Sequence, residues 1–302
     1  MNKIQPPFLK PGDEVAIVSP AFTIEEHKLE KAVRVIESWG LKVRVGKNAL
    51  KTDGPFAGTD RERINDFQKA TNDKNIRAVF CSRGGYGMSR IINRIDFKAL
   101  KKYPKWYVGF SDITVLHMWL SEKCNMVSVH GEMPLNYSDP GKSVETMDSL
   151  YKALFGGWEP VRWKGEFIRS GDISGEVSGG NLSLLWSLTG TPAEPGTRGR
   201  ILFIEDTGEH LYRLDRMLTS LKLAGKLKGL AALVAGGFND IQETSRPWGR
   251  SPAEIIKDIV AGYSYPVLFN FPAGHINDNR SFYIGRRASV QIRGDEATLD
   301  YV

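Results

Sequence analysis

The chain has 302 residues, 41% hydrophobic and 25% charged, proportions ordinary for a globular protein with a sizeable core. That length exceeds one ordinary domain and fits two, or one large α/β unit. A formal net charge of +6 comes from 41 Lys and Arg scattered among 35 acids. No basic tract carries interleaved aromatics, which argues against nucleic-acid binding, while the mild basic balance suits an anionic substrate or the polyanionic surface of a cell. Two cysteines, Cys81 and Cys124, do not make a disulfide framework. Met1 to Lys10 lacks the apolar run of a secretory signal, and no segment approaches the ~20 apolar residues of a membrane span. A cytoplasmic protein without membrane contact is expected.

Glu14 to Ser19 reads as a buried strand stopped by Pro20. Thr23 and Glu26 have capping-box spacing ahead of a helix striped by Leu29, Ala32, Val33 and Ile36 and ended by Gly40. Leu41 to Val45 is a second strand. Thr59 or Asp60 caps the next helix, with Ile64, Phe67 and Ala70 facing inward. Arg77 to Ser82 and Trp106 to Phe110 are the third and fourth strands. Strands and helices alternating in this way imply βαβ units and a mostly parallel sheet.

The third strand runs into Ser82-Arg83-Gly84-Gly85-Tyr86-Gly87-Met88-Ser89. This is neither Gly-x-Gly-x-x-Gly nor a Walker A loop. Glycines at the carboxyl end of a strand let backbone N–H groups approach an anion closely; the plainer reading is a tight strand-to-helix turn. After Val127 to His130 the pattern changes. Tyr137 to Lys142 is a polar turn, a helix spans Val144 to Phe155, and a domain boundary falls within Asp139 to Gly171. The ranges that follow are 1–140, a linker 141–171, and 172–302. In the last range Ile173 to Val177, Arg200 to Ile204, Gly229 to Gly236 and Val267 to Phe269 read as strands. Leu182 to Leu188 and the stripe Leu211, Leu214, Met217, Leu218 and Leu221 read as helices, and Ala288 to Val302 as two strands joined at Gly294-Asp295. This half is mixed α/β with more antiparallel character.

Ser111 follows the apolar run Trp106 to Phe110 and opens the apolar helix Ile113 to Leu120. A serine on a sharp strand-to-helix turn projects its hydroxyl from the sheet edge, near the positive end of the helix. Acyl-transfer enzymes place a nucleophile there. The Gly-x-Ser-x-Gly elbow is incomplete, since Ile113 takes the last position, and an N-capping serine is the alternative. A serine nucleophile needs a base and a group to orient that base. Of the five histidines, His117 lies about 240° around its helix from Ser111 and faces away, and His27 and His210 read as surface residues. His130 and His275 remain. Glu205 ends a strand and is the candidate carboxylate, with Asp206 and Glu209 as competitors; alone, Glu205 reads as solvated and Asp206 as a cap for the next helix.

Gly-Phe-Ser-Asp-Ile-Thr (109–114), Ser-Arg-Gly-Gly-Tyr-Gly (82–87), Ile-Glu-Asp-Thr-Gly-Glu (204–209) with Tyr212 to Arg216, and Pro-Ala-Gly-His (272–275) resemble the LD-carboxypeptidase family. These are serine peptidases that trim murein peptides and include the microcin C immunity peptidases. Leu9 to Asp13 and Gly179 to Leu182 fit too, so the resemblance spans nearly the whole chain. It implies a Rossmann-like N-terminal domain and a smaller β-rich α/β C-terminal domain. It also implies Ser111 as nucleophile, His275 as base, Glu205 as its orienting carboxylate, and the backbone N–H groups of Gly85 and Asp112 as the oxyanion hole. The implied substrate is murein tetrapeptide, losing its terminal D-Ala to a homodimeric enzyme. Arg83 is a candidate for the substrate carboxylate, against a structural or solvated arginine. Two other readings stand beside this one: an immunity-type peptidase acting on aminoacyl nucleotide analogues, and a non-catalytic two-domain ligand-binding protein.

No cofactor is implied, and neither His-Glu-x-x-His nor Cys-x-x-Cys spacing occurs. Activity is therefore expected to survive prolonged EDTA treatment, because a serine mechanism has no metal-bound water to lose. Loss on chelation with recovery on adding zinc contradicts this.

Overall fold

A computed structural model describes residues 3–302; Met1 and Asn2, on which the first expected domain range begins, lie outside the described residues. Two compact units form. The first runs to Trp158 and takes back Asn277–Ile284; the second is Glu159–Ile276 with Gly285–Val302.

The first unit is built on β1 (Glu14–Val18), β2 (Lys42–Val45), β3 (Ile76–Cys81), β4 (Trp106–Gly109) and β5 (Ser128–His130). They pair in parallel in the order β2-β1-β3-β4-β5, and β12 (Phe282–Ile284) adds antiparallel to β5, with Phe282 opposite His130. β1, β3 and β4 are almost wholly buried, as their near-continuous apolar runs require of a parallel sheet covered on both faces. The crossovers carry α1 (Glu26–Ser38), α2 (Asp60–Asn72), α3 (Met88–Ile91) and α4 (Thr114–Lys123); α5 (Val144–Phe155) follows. Leu29, Ala32 and Ile36 bury the stripe of α1, and Phe67 and Ala70 that of α2.

Thr59 and Glu62 make the full capping box of α2, each receiving the other's backbone N–H. The capping box expected at Thr23 and Glu26 does not form. Glu25 holds the cap position of α1 without a side-chain bond. Thr23 is committed to extended chain instead: its N–H donates to the Pro55 carbonyl at 3.1 Å, and its carbonyl accepts from Arg83 at 3.0 Å.

The second unit has β6 (Val161–Lys164), β7 (Phe167–Ile168), β8 (Ile173–Asn181), β9 (Ile201–Thr207), β10 (Ala232–Asn239), β11 (Val267–Leu268), β13 (Arg287–Arg293) and β14 (Glu296–Tyr301). Their order is β6-β14-β13-β8-β9-β10-β11-β7, a parallel centre of β8 to β11 with antiparallel strands on both sides. Helices α6 (Leu182–Ser187), α7 (Leu211–Leu223) and α8 (Pro252–Val260) complete it. β8 and β9 run further than their apolar patterns suggest, because the ladder continues to Asn181 opposite Glu205. That register puts Glu205 on the sheet rather than in a loop. The architecture is the two-domain mixed α/β fold, the N-terminal sheet mostly parallel. Among the described residues no helix is long and apolar enough to cross a membrane.

Lys105, at the start of β4, is buried and closes the end of α2, its ammonium donating to the Ala70 carbonyl at 2.9 Å and the Asp73 carbonyl at 2.7 Å. Burial lowers its pKa to about 8, partly offset by the charge of Asp73. Between that value and the ordinary 10.5 the unfolded chain holds more protons, so raising the pH through this window favours the fold. Urea unfolding at pH 7.5 and 9.5 should therefore show the parent gaining stability relative to Lys105→Met at the higher pH. A pH-independent difference contradicts it.

Candidate active site

The first half of the site is the turn after β4. Phe110 is extended, at φ −150° and ψ −168°, and Ser111 then takes φ +61° before a single 3-10 turn, Ser111–Ile113, leads into α4. A left-handed serine is uncommon and costs of order 1–3 kcal/mol unless its surroundings hold it. Neither the 3-10 turn nor α4 has a side-chain cap, so the arrangement is not the N-capping serine of the simpler reading.

The glycine loop comes against this turn. A Cβ on Gly84 would lie 3.0 Å from Ser111 Cβ and 3.1 Å from its Oγ, so only glycine lets the loop backbone approach so closely. Gly85 follows at φ +102°, with the Phe22 ring packed on it. Asp112 ties the two segments together: it is fully buried and its Oδ2 accepts the Met88 N–H at 2.8 Å. Burial raises its pKa to about 6, opposed by the N–H groups of Met88 and Gly87 and by the charge of Arg63. Arg63, wholly buried on α2, donates to the Pro20 carbonyl at 2.5 Å and the Gly87 carbonyl at 3.1 Å and pairs with Asp60. The stripe read from α2 gave no sign of Arg63. A guanidinium beside an apolar face looks solvated until its acceptors are placed.

Two other histidines of this unit have core roles. His117 Nε2–H donates to the Gly109 carbonyl at 2.8 Å, and Nδ1 lies 2.8 Å from Ser128 Oγ. Burial drops its pKa to about 4, so it is neutral near pH 7. His130 is fully buried in β5, its ring stacked on Phe282 at 4.6 Å and against Phe110 at 5.7 Å. That packing suits a core histidine, not one that exchanges a proton with substrate.

The second half of the site lies in the second unit. Glu205, buried near the carboxyl end of β9, has its Oε2 2.7 Å from Nδ1 of His275 and also accepts the His275 N–H at 3.2 Å. A carboxylate accepts, so Nδ1 carries a proton, and in the neutral ring Nε2 holds the lone pair. Gly274, at φ +110°, permits the approach: a Cβ there would lie 2.8 Å from Glu205 Oε2. Asn239, at the end of β10, donates to the His275 carbonyl at 2.6 Å and holds the loop from the other side.

The competing carboxylates are otherwise engaged. Glu209 pairs with Arg213 at 3.1 Å. Asp206 does not cap α7, whose cap position is His210. It accepts instead from Asn181 Nδ2 at 2.9 Å and from the Ser183 N–H at 3.0 Å, and so holds the start of α6. Burial, with the neighbouring charge of Glu205, raises its pKa to about 7. Ser111, Gly85, Asp112 and Arg83 thus belong to the first unit, and Glu205 and His275 to the second. Among the described residues no group of three or more His, Cys, Asp or Glu is placed to hold a metal ion.

A mostly parallel sheet with a left-handed serine after one strand, and a His–Glu pair on a second mixed sheet, define the class as a two-domain mixed α/β protein. The chain matches the LD-carboxypeptidase N-terminal domain over residues 15–131 and the LD-carboxypeptidase C-terminal domain over residues 174–290. It is 33% identical to the "Probable murein peptide carboxypeptidase" of Bacillus subtilis (strain 168), over 98% of this chain and 94% of that one. The crystal structure of muramoyltetrapeptide carboxypeptidase from Oxalobacter formigenes superposes with a TM-score of 0.87 at 31% identity, covering 95% of this chain and 99% of that one. The microcin C7 self immunity protein MccF, in a complex with aspartyl sulfamoyl adenosine, gives a TM-score of 0.88 over 99% of both chains. At 22% identity it shares the fold alone. The chain belongs to the LD-carboxypeptidase family.

The Glu205–His275 bond has a spectroscopic signature. A downfield Nδ1 proton resonance from His275 is expected, and both Glu205→Gln and Gly274→Ala should remove or shift it. Glu209→Gln should leave it in place. A resonance indifferent to Glu205 contradicts the pairing.

Proposed function

We propose that this chain is a serine LD-carboxypeptidase that hydrolyses the L,D-peptide bond of murein tetrapeptide and releases the terminal D-Ala. The observation that carries the reading is the bond from His275 to Glu205, the two residues that the family resemblance implies as base and orienting carboxylate. In the proposed reaction Ser111 Oγ attacks the carbonyl carbon of the penultimate residue while His275 Nε2 takes its proton. Glu205 holds the ring and stabilises the imidazolium. The carbonyl oxygen becomes an oxyanion on the N–H groups of Gly85 and Asp112, each such donor contributing about 10²–10³ in rate. The C–N bond then breaks as His275 returns the proton to the leaving amine, and water, deprotonated by the same histidine, releases the acyl group from Ser111.

The first unit thus carries the nucleophile and the second the base and its partner. The reaction requires Ser111 Oγ and His275 Nε2 within roughly 2.6–3.2 Å once substrate is bound. The names of the Bacillus and Oxalobacter relatives support the murein substrate. A homodimer working in the cytoplasm on recycled wall peptides completes the reading.

Purified protein given murein tri-, tetra- and pentapeptides, with products read by mass spectrometry, should release D-Ala from the tetrapeptide. It should act poorly on the isomer ending in L-Ala, because a misplacement of ~1 Å at the scissile carbonyl costs about a hundredfold. The pentapeptide, whose last bond joins two D residues, should resist. Ser111→Ala and His275→Ala should each lose several orders of magnitude while folded, and Glu205→Gln should lose more than Glu209→Gln. Equal rates on both isomers, or faster turnover of an aminoacyl-adenylate analogue, would overturn the assignment.

A further inference from the structure

Three arginines cluster around the aromatic side chains near the serine turn. Arg63 and Arg90 lie over the Phe56 ring at 4.8 and 5.2 Å, and both pair with Asp60. Arg83 differs. It is half-buried, its Nη1 donates to the neutral Thr23 carbonyl at 3.0 Å, and its guanidinium lies 5.8 Å from the centre of the Phe22 ring. Among the described residues it has no carboxylate partner; Glu25, the acid whose charge it feels, is paired with Lys28 at 3.1 Å. An arginine fixed by stacking and one carbonyl, with the rest of its fork unclaimed by protein, is preorganised for an external carboxylate.

Phe22 lies against Arg83, Gly84 and Gly85 of the glycine loop. Its backbone N–H donates to the Gly84 carbonyl at 3.3 Å, and its ring packs on Gly85 so closely that a Cβ there would lie 2.3 Å from Cδ2. The ring is braced edge-on by Phe56, with centroids 5.8 Å apart. One aromatic ring therefore lies against both the backbone of Gly85 and the guanidinium of Arg83. In a peptide, the terminal carboxylate lies one residue beyond the scissile carbonyl, a span of at most about 3.6 Å.

We infer that Arg83 and Phe22 form the subsite of the leaving residue: Arg83 binds its terminal carboxylate, and Phe22 limits its side chain to a small group. This rests on the proposed hydrolysis, with the scissile carbonyl oxygen on the Gly85 N–H. The leaving residue then lies across the face of Phe22. A methyl group fits there, and a branched side chain meets a ring that its neighbours keep from yielding. The ligand class is the α-carboxylate of a small C-terminal residue.

The test uses the full chain carrying Ser111→Ala, so that binding is read without turnover. Calorimetry compares the murein tetrapeptide acid, its C-terminal carboxamide, and the tetrapeptide with D-Leu in the last position; circular dichroism confirms folding of each variant. The Ser111→Ala protein should bind the acid at least about tenfold tighter than the amide, the scale of one charge-assisted contact. Arg83→Met should erase that preference by weakening the acid alone, and Arg83→Lys should keep part of it. Phe22→Ala should retain the preference and raise the affinity of the D-Leu peptide relative to D-Ala. An acid preference unchanged in folded Arg83→Met overturns the carboxylate assignment, and an unchanged D-Leu to D-Ala ratio in Phe22→Ala overturns the role of the ring. Release of D-Ala by the chain with Ser111 intact is measured in parallel. No release with an Arg83-dependent preference sinks the hydrolase reading and keeps the subsite, and release with an Arg83-independent preference does the reverse.

Discussion

The first unit depends on holding Ser111 at φ +61°. A serine there is less stable than in ordinary helical or extended chain, so the turn persists only because its neighbours leave no alternative. β4 fixes the chain on one side, with His117 bonded to the Gly109 carbonyl, and the buried helix α4 fixes it on the other. Asp112 then reaches back to the Met88 N–H, and Arg63 holds the Pro20 and Gly87 carbonyls. The glycine loop is thereby fixed at its far end, and its approach to Ser111 at Gly84 follows. Local strain at one residue is stabilised by buried polar groups on three separate segments, as strained functional residues generally require.

In the second unit the deciding constraint is hydrogen-bond saturation. Glu205, Asp206 and Glu209 are nearly equivalent as sequence. Strand register buries the first two, and their side chains leave the strand on opposite faces. Asp206 is consumed by the start of α6 and Glu209 by an ion pair on α7, so Glu205 is the carboxylate that meets the His275 loop. Glycine at 274 is what allows the loop to come down onto it.

The differences between pattern and structure come from partners that lie far away in the chain and from start signals read singly. Thr23 and Glu26 carry a good capping-box spacing, yet Thr23 is bonded to Pro55 and Arg83 and the helix starts at Glu26 without it. Ser251 and Glu254 make a real capping box with Pro252 in the first turn of α8, and Ile255, Ile256 and Val260 bury its stripe, so both the start signal and the apolar face of this helix are present in the sequence. β12 is three residues long, and its partner β5 lies far earlier in the chain. No local periodicity encodes such a pairing, and the burial of His130 comes with it.

The sequence by itself determined the alternation of strands and helices, the parallel first sheet, the Ser111 turn and the glycine loop, because hydrophobic period and glycine placement are local and act wherever the chain goes. The ordered motifs also carried the family. The resemblance pointed to Glu205 and His275, and the tertiary structure shows them bonded; it alone decided that His130 is packed in the core and that Asp112 and Arg63 brace the serine turn. It also decided that Phe22 lies on Gly85 with Arg83 beside it. Each of these is a contest among polar or aromatic groups for a limited number of partners, and its outcome depends on which segments are brought together, not on spacing along the chain.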